Sequence, residues 1–252
     1  MAKPTLTPSK ITTYLACPTR YRWTYVDARG RWYLRAKPTF SFGLSLHKVL
    51  ERFHEQGAVE TVAQVLQSYE ENWIEAGFSS AEEMADAYAE GKEILESYVE
   101  DVRRTPATSA TILIEQTLRM GLGPFELAGR LDRVDEAKGG ALEILDYKTL
   151  RTEVTEDDVR TDLAMGCYAV LLRARYPGRP IAATLVAMKG GVRATAHFSD
   201  AELDALQEDL LRLGEALLSR RFDTVSPRRI PLCGTCEFVP LCAKQATWSD
   251  ES

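Results

Sequence analysis

Apolar residues recur at helical spacing through the first hundred residues and again in the last hundred. A stripe of Leu46, Val49, Leu50 and Phe53 predicts a helix over residues 42–56. Ser9 is a suitable N-cap for a shorter helix that ends near Pro18. The same spacing predicts further helices over residues 59–76, 81–104, 157–176 and 201–221.

The centre of the chain has a period of two instead. Three β-rich runs over residues 111–119, 125–135 and 141–149 are separated by glycine-containing turns, which predicts a three-stranded meander. Two further strands are expected over residues 181–189 and 195–198, and the segment after Phe222 is irregular. The order of helices and strands predicts an α/β fold with a small mixed sheet flanked by helices. With no internal repeat and no low-complexity linker, the sequence favours one domain over residues 1–252.

The third run of the meander carries charges at its end. Leu142, Ile144, Asp146 and Lys148 share one face of a strand, because side chains alternate between faces. A hairpin through residues 138–140 would bring Asp132 near Asp146. Two converging carboxylates form a hard-oxygen site suited to Mg²⁺ or Mn²⁺. The alternative is a structural ion-pair cluster of two aspartates and a lysine.

Two other residues could face the same cluster. Glu115 is a single acid that interrupts an apolar run. His47 lies at the edge of the apolar stripe of its helix, where a histidine is either a metal ligand or a hydrogen-bonded core residue.

Composition limits the class of protein. The chain has 252 residues, of which 45% are hydrophobic and 27% are charged, as in globular proteins with a sizeable core. No apolar run is long enough to span a membrane and the first residues lack a secretory signal, so a cytoplasmic protein is expected. The net charge of −6 argues weakly against a nucleic-acid partner. However, residues 1–37 carry a local charge of +7 and residues 51–104 one of −10, which allows a basic surface.

Five cysteines without an export signal favour metal binding or catalysis over disulfides. Cys167 lies in a helical pattern and is expected to be a small buried hydrophobe. Cys233-x2-Cys236 by itself suggests zinc as readily as iron. Four thiolates, drawn from Cys17 and the three cysteines near the end of the chain, would also meet the requirement of a 4Fe–4S cluster.

Five motifs follow one another along the chain: Ser9-Lys-Ile-Thr-Thr-Tyr-Leu-Ala-Cys17-Pro-Thr-Arg-Tyr21, Gly43-x3-His47-x2-Leu-Glu51, Gly129-Arg-Leu-Asp132-Arg-Val-Asp135, Asp146-Tyr-Lys148-Thr and Cys233-x2-Cys236-x5-Cys242. In this order they resemble the iron–sulfur members of the RecB-like branch of the PD-(D/E)xK nuclease superfamily. These members include AddB-type nuclease domains and CRISPR-associated adaptation nucleases. The resemblance covers nearly the whole chain. It departs from the family at one position, where Ala164 stands four residues before Tyr168 in place of a glutamine.

The resemblance implies a restriction-endonuclease-like core with a helical insert at about residues 57–105. It implies that His47, Asp132, Asp146 and the backbone carbonyl of Tyr147 hold one or two Mg²⁺ or Mn²⁺ ions. Lys148 would orient or help deprotonate the attacking water, and Glu115 would be an accessory acid.

It also implies that Cys17, Cys233, Cys236 and Cys242 hold a 4Fe–4S cluster. This cluster would join the chain ends, at about residues 9–25 and 228–244, as a structural clasp. DNA would then be contacted by side chains around this clasp and beside the metal site, namely Arg20, Arg22, Tyr168, Arg228 and Arg229.

The expected function is therefore a metal-dependent DNA nuclease, and specifically an exonuclease on single-stranded ends in repair, recombination or CRISPR adaptation. A helicase or a CRISPR integrase is an expected partner. The competing hypothesis is a non-catalytic iron–sulfur module that binds nucleic acid or acts as a scaffold in such a complex, because the glutamine is absent. A third is a zinc-stabilised protein without a nucleic-acid role.

Overall fold

The computed structural model describes residues 3–105, 108–246 and 248. Contacts between Cα atoms divide the chain into two compact units. The larger unit comprises Ala36–Met120 and Ala128–Gln207, and the smaller comprises Met1–Arg35, Gly121–Leu127 and Glu208–Ser252. In chain order the elements are β1 (Thr5–Leu6), α1 (Pro8–Ala16), α2 (Pro18–Tyr21), a π-helical turn (Arg22–Val26), a 3₁₀ turn (Ala28–Trp32), α3 (Pro38–Glu55), α4 (Val62–Asn72), α5 (Ala81–Arg104), β2 (Ser109–Leu122), β3 (Phe125–Ala137), β4 (Leu142–Lys148), α6 (Glu156–Thr161), α7 (Leu163–Arg175), β5 (Ile181–Ala187), β6 (Val192–Phe198), α8 (Asp200–Ser219), 3₁₀ turns at Phe222–Thr224 and Pro231–Thr235, and α9 (Val239–Cys242).

The sheet is mixed, as the sequence predicts. In the larger unit, β2 pairs with β3, β3 runs antiparallel to β4, β4 parallel to β5, and β5 antiparallel to β6. In the smaller unit, β1 pairs in parallel with the first residues of β3, so that Thr5 lies opposite Glu126. The parallel β4–β5 pair requires a crossover, which α6 and α7 provide.

Both faces of β4 are covered. On one face, α3, α4 and α5 share a core with the strand residues Leu145, Tyr147 and Val186. On the other, α7 packs against β4 and β5 and buries its central residues, including Cys167 as expected. Burial on both faces explains why Leu142, Ile144, Leu145 and Tyr147 are apolar on both sides of β4.

Several predicted helix ends differ from the structure, since α3 begins at Pro38 and α4 spans only Val62–Asn72, and two further differences have a clear local cause. The N-cap of α1 is Thr7, not Ser9, because Pro8 occupies the first helical position and the Thr7 hydroxyl accepts from the backbone N–H of Lys10. The helix predicted over residues 157–176 is interrupted at Asp162, which ends α6 and caps α7. Within the described residues, no helix is long and apolar enough to cross a membrane.

Candidate active site

The register of the β3–β4 hairpin brings the two aspartates together. Arg133 pairs with Leu145, so one residue further along the same register Asp132 lies opposite Asp146. The Oδ2 atom of Asp132 accepts a hydrogen bond of 2.9 Å from the backbone N–H of Tyr147. Both carboxylates are largely buried.

Helix α3 and strand β2 add an imidazole and a third carboxylate. His47 Nδ1 lies 3.3 Å from Glu115 Oε1 and 3.5 Å from Asp132 Oδ1, and His47 Nε2 lies 3.2 Å from the carbonyl oxygen of Tyr147. One ligand atom from each of His47, Glu115 and Asp132 lies within 4.8 Å of the others. In the described part of the chain, three side chains therefore converge closely enough to hold a single metal ion here.

Asp146 is adjacent to that group and points to a lysine. Its Oδ2 atom lies 2.8 Å from Lys148 Nζ. The sequence places Asp146 among the metal ligands and Glu115 in an accessory role, whereas in the structure it is Glu115 that converges with His47 and Asp132. Carboxylate oxygens are ligands that suit Mg²⁺ and Mn²⁺. A set of two carboxylates and one imidazole therefore fits such an ion.

The backbone of β2 is strained where Glu115 enters the site. Glu115 has a φ of 45°, in the left-handed region that non-glycine residues rarely adopt. Strain of this kind, in the interior of a strand, is typical of functional sites. Arg130 Nε lies 2.6 Å from Glu115 Oε2, so this arginine neutralises the carboxylate from the neighbouring strand. No signal in the sequence pointed to the strain.

The carboxylates and the imidazole of the site shift one another's pKa. Burial, and then the charge of Asp146, raise the pKa of Asp132 to about 7. Burial acts to lower the pKa of His47, but the hydrogen bond to Glu115 and the charges of Asp132 and Glu115 outweigh it and raise this pKa to about 9. Carboxylates that repel one another in a buried site favour a bound cation.

Lys148 is held between two aspartates. Its Nζ atom lies 2.8 Å from Asp146 and 3.2 Å from Oδ2 of Asp162. Burial would lower the pKa of Lys148, but the two carboxylates outweigh it and raise this pKa. Lys148 is therefore an ammonium group with a defined orientation.

The sequence reasoning missed Asp162, although an aspartate before an apolar run is a recognisable N-cap signal. Its Oδ1 atom accepts from the backbone N–H groups of Ala164 and Met165 at 2.7 and 3.2 Å, and this caps α7. The cap breaks the predicted continuous helix and leaves Oδ2 at Lys148. Asp162 therefore contacts Lys148 from a position two residues before Ala164, where the RecB-like motif has a glutamine.

Tyr168 lies on α7 beside the same carboxylates. Burial, together with the charges of Asp146 and Asp132, raises the pKa of its hydroxyl. A Cβ atom at Gly129 would lie 2.8 Å from the Tyr168 ring, so the glycine of the Gly129-Arg-Leu-Asp132 motif makes room for the tyrosine.

A buried polar network holds the side chain of Tyr147, whose backbone borders the site. The Tyr147 hydroxyl lies 3.0 Å from Arg133 Nη1, 3.0 Å from the Tyr98 hydroxyl and 3.1 Å from His54 Nε2. Arg133 in turn pairs with Asp135 at 3.0 Å. The sequence pattern predicted none of this network, since its members come from three distant segments.

The cysteines near the two ends of the chain fall in the smaller unit. All five cysteines lie in the described residues and carry free thiols. Burial raises the pKa of the Cys242 thiol, a hydrogen bond from the Trp23 side chain opposes this rise, and the nearby Cys236, Cys17 and Cys233 add to it. The indole of Trp23 is buried beside Cys242, and its Nε1–H is directed at that thiol.

The arginines expected to contact DNA around these cysteines have partners or line cavities. Arg20 pairs with Glu237 at 3.6 Å, and Arg22 pairs with Asp27 at 3.7 Å. Arg228 lines a cavity of about 520 Å³ that also includes Cys17, and Arg229 lines one of about 590 Å³ beside Cys233.

Carboxylates, an imidazole and a paired lysine at the end of strands in a mixed sheet define a candidate metal-dependent hydrolase. The chain belongs to the PD-(D/E)XK nuclease superfamily, whose family model matches residues 5–243. Its membership of this superfamily identifies it as a nuclease.

Comparison with solved structures agrees on the fold. The crystal structure of a "Putative exonuclease" from Eubacterium rectale is 13% identical, with a TM-score of 0.53 over 98% of this chain and 90% of that chain. The crystal structure of SSO0001 is 16% identical over 79% of this chain and 82% of that one, and its TM-score of 0.36 does not establish a shared fold. A search among curated proteins found none that matches.

Proposed function

We propose that this nuclease is a metal-dependent deoxyribonuclease that acts as an exonuclease on single-stranded DNA ends. The observation that carries the proposal is the convergence of His47, Glu115 and Asp132 beside the Asp146–Lys148 pair. Family membership supports phosphodiester hydrolysis. The single-stranded substrate comes from the resemblance of the motifs to RecB-like nucleases, as do the settings of repair, recombination or CRISPR adaptation.

His47, Glu115, Asp132 and Asp146, with the carbonyl of Tyr147, would hold one or two Mg²⁺ or Mn²⁺ ions. When bound, the metal supplies an acidified water and a counter-charge for the phosphate. Lys148 contributes a second cation at a defined position, since Asp146 and Asp162 fix its ammonium group. An ammonium donates hydrogen bonds to water or phosphate oxygen without a required plane. We assign to Lys148 the role of orienting the attacking water.

The experiment compares cleavage of labelled single-stranded DNA, with Mg²⁺ or Mn²⁺, by the parent and by Asp146→Asn and Lys148→Ala. Loss of at least 100-fold in rate is expected for both, on the scale of about 10²–10³ for removing one electrostatic catalytic group. Glu93→Gln is the matched control, because Glu93 is an exposed carboxylate on α5. Equal cleavage by parent and site variants would contradict the assignment of the site.

We also propose that Cys17, Cys233, Cys236 and Cys242 hold a 4Fe–4S cluster that joins the ends of the chain. Four free thiols in one unit supply the required ligands. The N–H of Trp23, directed at Cys242, is the kind of donor that hydrogen-bonds a cluster thiolate. We also propose a cytoplasmic location, with which free thiols accord.

Anaerobic purification tests the cluster. The parent should be brown and contain about four iron and four sulfide per chain, and Cys236→Ser should lose most of both. Cys167→Ser is the control, because Cys167 is buried in α7 of the larger unit. A colourless protein with one zinc per chain would replace this proposal with a zinc site.

A second candidate function is a non-catalytic DNA-binding scaffold within a helicase–nuclease or integration complex. Ala164 favours it, since the glutamine of the RecB-like motif is absent there. DNA binding by the parent without any cleavage, over a range of Mg²⁺ and Mn²⁺ concentrations, would select this function over the nuclease.

A further inference from the structure

Helix α3 has two faces of different character. One face is buried in the core and carries Phe42, Leu46 and Phe53. The opposite face carries Phe40, Leu44, His47 and Glu51, which recur at spacings of four and three residues and therefore lie in one line along the helix. The exposed line thus runs from an aromatic side chain directly to an active-site side chain.

The first two residues of this line are exposed although they are apolar. Phe40 is 70% exposed and Leu44 is 37% exposed. Single exposed apolar residues are common on protein surfaces. Here, however, two of them are neighbours on one helix face and are continuous with His47, which lies 3.5 Å from Asp132.

The distance along the helix matches a nucleotide chain. Phe40 and His47 are separated by seven residues, which is about 10 Å at 1.5 Å per residue. A stacked single strand advances about 3.4 Å per nucleotide and an extended one about twice that. A strand with its phosphate at His47 would therefore place a base two or three nucleotides away beside Phe40.

We infer that Phe40 and Leu44 form a stacking subsite for an unpaired nucleobase of the DNA strand that is cleaved. This inference rests on the proposed nuclease function and deepens it, because it names the structural feature that selects single strands. Aromatic side chains stack on every base, so the contact does not depend on base sequence. Bases inside a duplex are already stacked on both sides and cannot offer a face to Phe40.

The test measures binding of a fluorescently labelled single-stranded oligonucleotide without added divalent metal, so that binding is separated from cleavage. Phe40→Ala should weaken binding by about 5- to 150-fold, the range for loss of one base–aromatic stack. Phe40→Trp should restore it, and Phe40→Leu should not. Val59→Ala is the control, because Val59 is 74% exposed and lies outside α3. Melting temperatures confirm that the variants fold.

A walk of single abasic sites along the oligonucleotide locates the contact. At the position two or three nucleotides from the cleaved bond, removal of the base should weaken binding by the parent. It should also abolish the difference in affinity between the parent and Phe40→Ala. At other positions the difference should persist. Blunt duplex DNA should bind parent and Phe40→Ala equally.

Equal affinity of Phe40→Ala and parent for the single strand, or full rescue by Phe40→Leu, would overturn the inference. Cleavage assays on the same proteins distinguish this failure from failure of the proposed function. Active cleavage with no effect of Phe40→Ala on binding refutes only the subsite. Absence of cleavage together with Phe40-dependent binding refutes the catalytic function and retains the subsite.

Discussion

Asp162 offers a sharp test of how Lys148 is oriented. Its two carboxylate oxygens have separate tasks, since Oδ1 caps α7 through Ala164 and Met165 and Oδ2 lies 3.2 Å from the lysine. Asp162→Asn keeps an oxygen for the cap and removes the charge at the lysine. Asp162→Ala removes both. The two variants therefore separate the stability of the helix from the orientation of the ammonium group.

The contacts of Asp162 determine how large the losses of stability and of kcat should be. Loss of the N-cap in Asp162→Ala should reduce the free energy of unfolding by about 0.5–2 kcal/mol, and loss of a hydrogen bond to a charged group adds about 1.5–3 kcal/mol. Asp162→Asn should lose only the second contribution. Because Lys148 would then pivot on Asp146 alone, a displacement of about 1 Å is expected to lower kcat by up to about 10²-fold.

The assay combines urea unfolding with single-turnover cleavage of single-stranded DNA. Asp162→Asn should show a reduced kcat with unchanged DNA affinity, and Asp162→Ala should show the same kcat defect with lower stability. Thr155→Ala is the matched control, because it removes the N-cap of α6 without touching Lys148. A wild-type kcat in Asp162→Asn would refute the reasoning, as would an equal kcat loss in Thr155→Ala.

Three further predictions concern the groups around this site. Burial, and then the charge of Arg133, lower the pKa of His54 to about 3, so between pH 6.5 and 3 the unfolded chain binds a proton that the folded chain does not. The free energy of unfolding is therefore highest above pH 6.5 and decreases as the pH falls, by about 2 kcal/mol at pH 5. His54→Gln should abolish this part of the pH dependence in denaturant unfolding. Gly129→Ala would place a Cβ atom 2.8 Å from the Tyr168 ring and should lower the free energy of unfolding by about 1–3 kcal/mol, as calorimetry would show; an unchanged melting temperature would contradict this packing. Glu115→Gln should weaken Mn²⁺ binding by about 10-fold or more in titration calorimetry, whereas exposed Glu93→Gln should leave it unchanged.

The sequence by itself determined most of the long helices and strands and the proximity of the two aspartates. Alternation along β4 and the turn at residues 138–140 are local, and together they predict Asp132 opposite Asp146, as the register shows. The motifs also placed the chain in the nuclease superfamily that the family model matches. Strand alternation and the spacing within each motif involve residues that are close in sequence, so they can be interpreted without coordinates.

Only the tertiary structure decided how the site is completed. The approach of His47 to Glu115 and to the carbonyl of Tyr147 depends on how α3 packs against the sheet, across 68 and 100 residues of sequence. The left-handed backbone of Glu115 and the reach of Asp162 to Lys148 likewise require packing that overrides local preference. Local periodicity specifies which face a side chain takes, and only packing between distant segments specifies which atoms meet there.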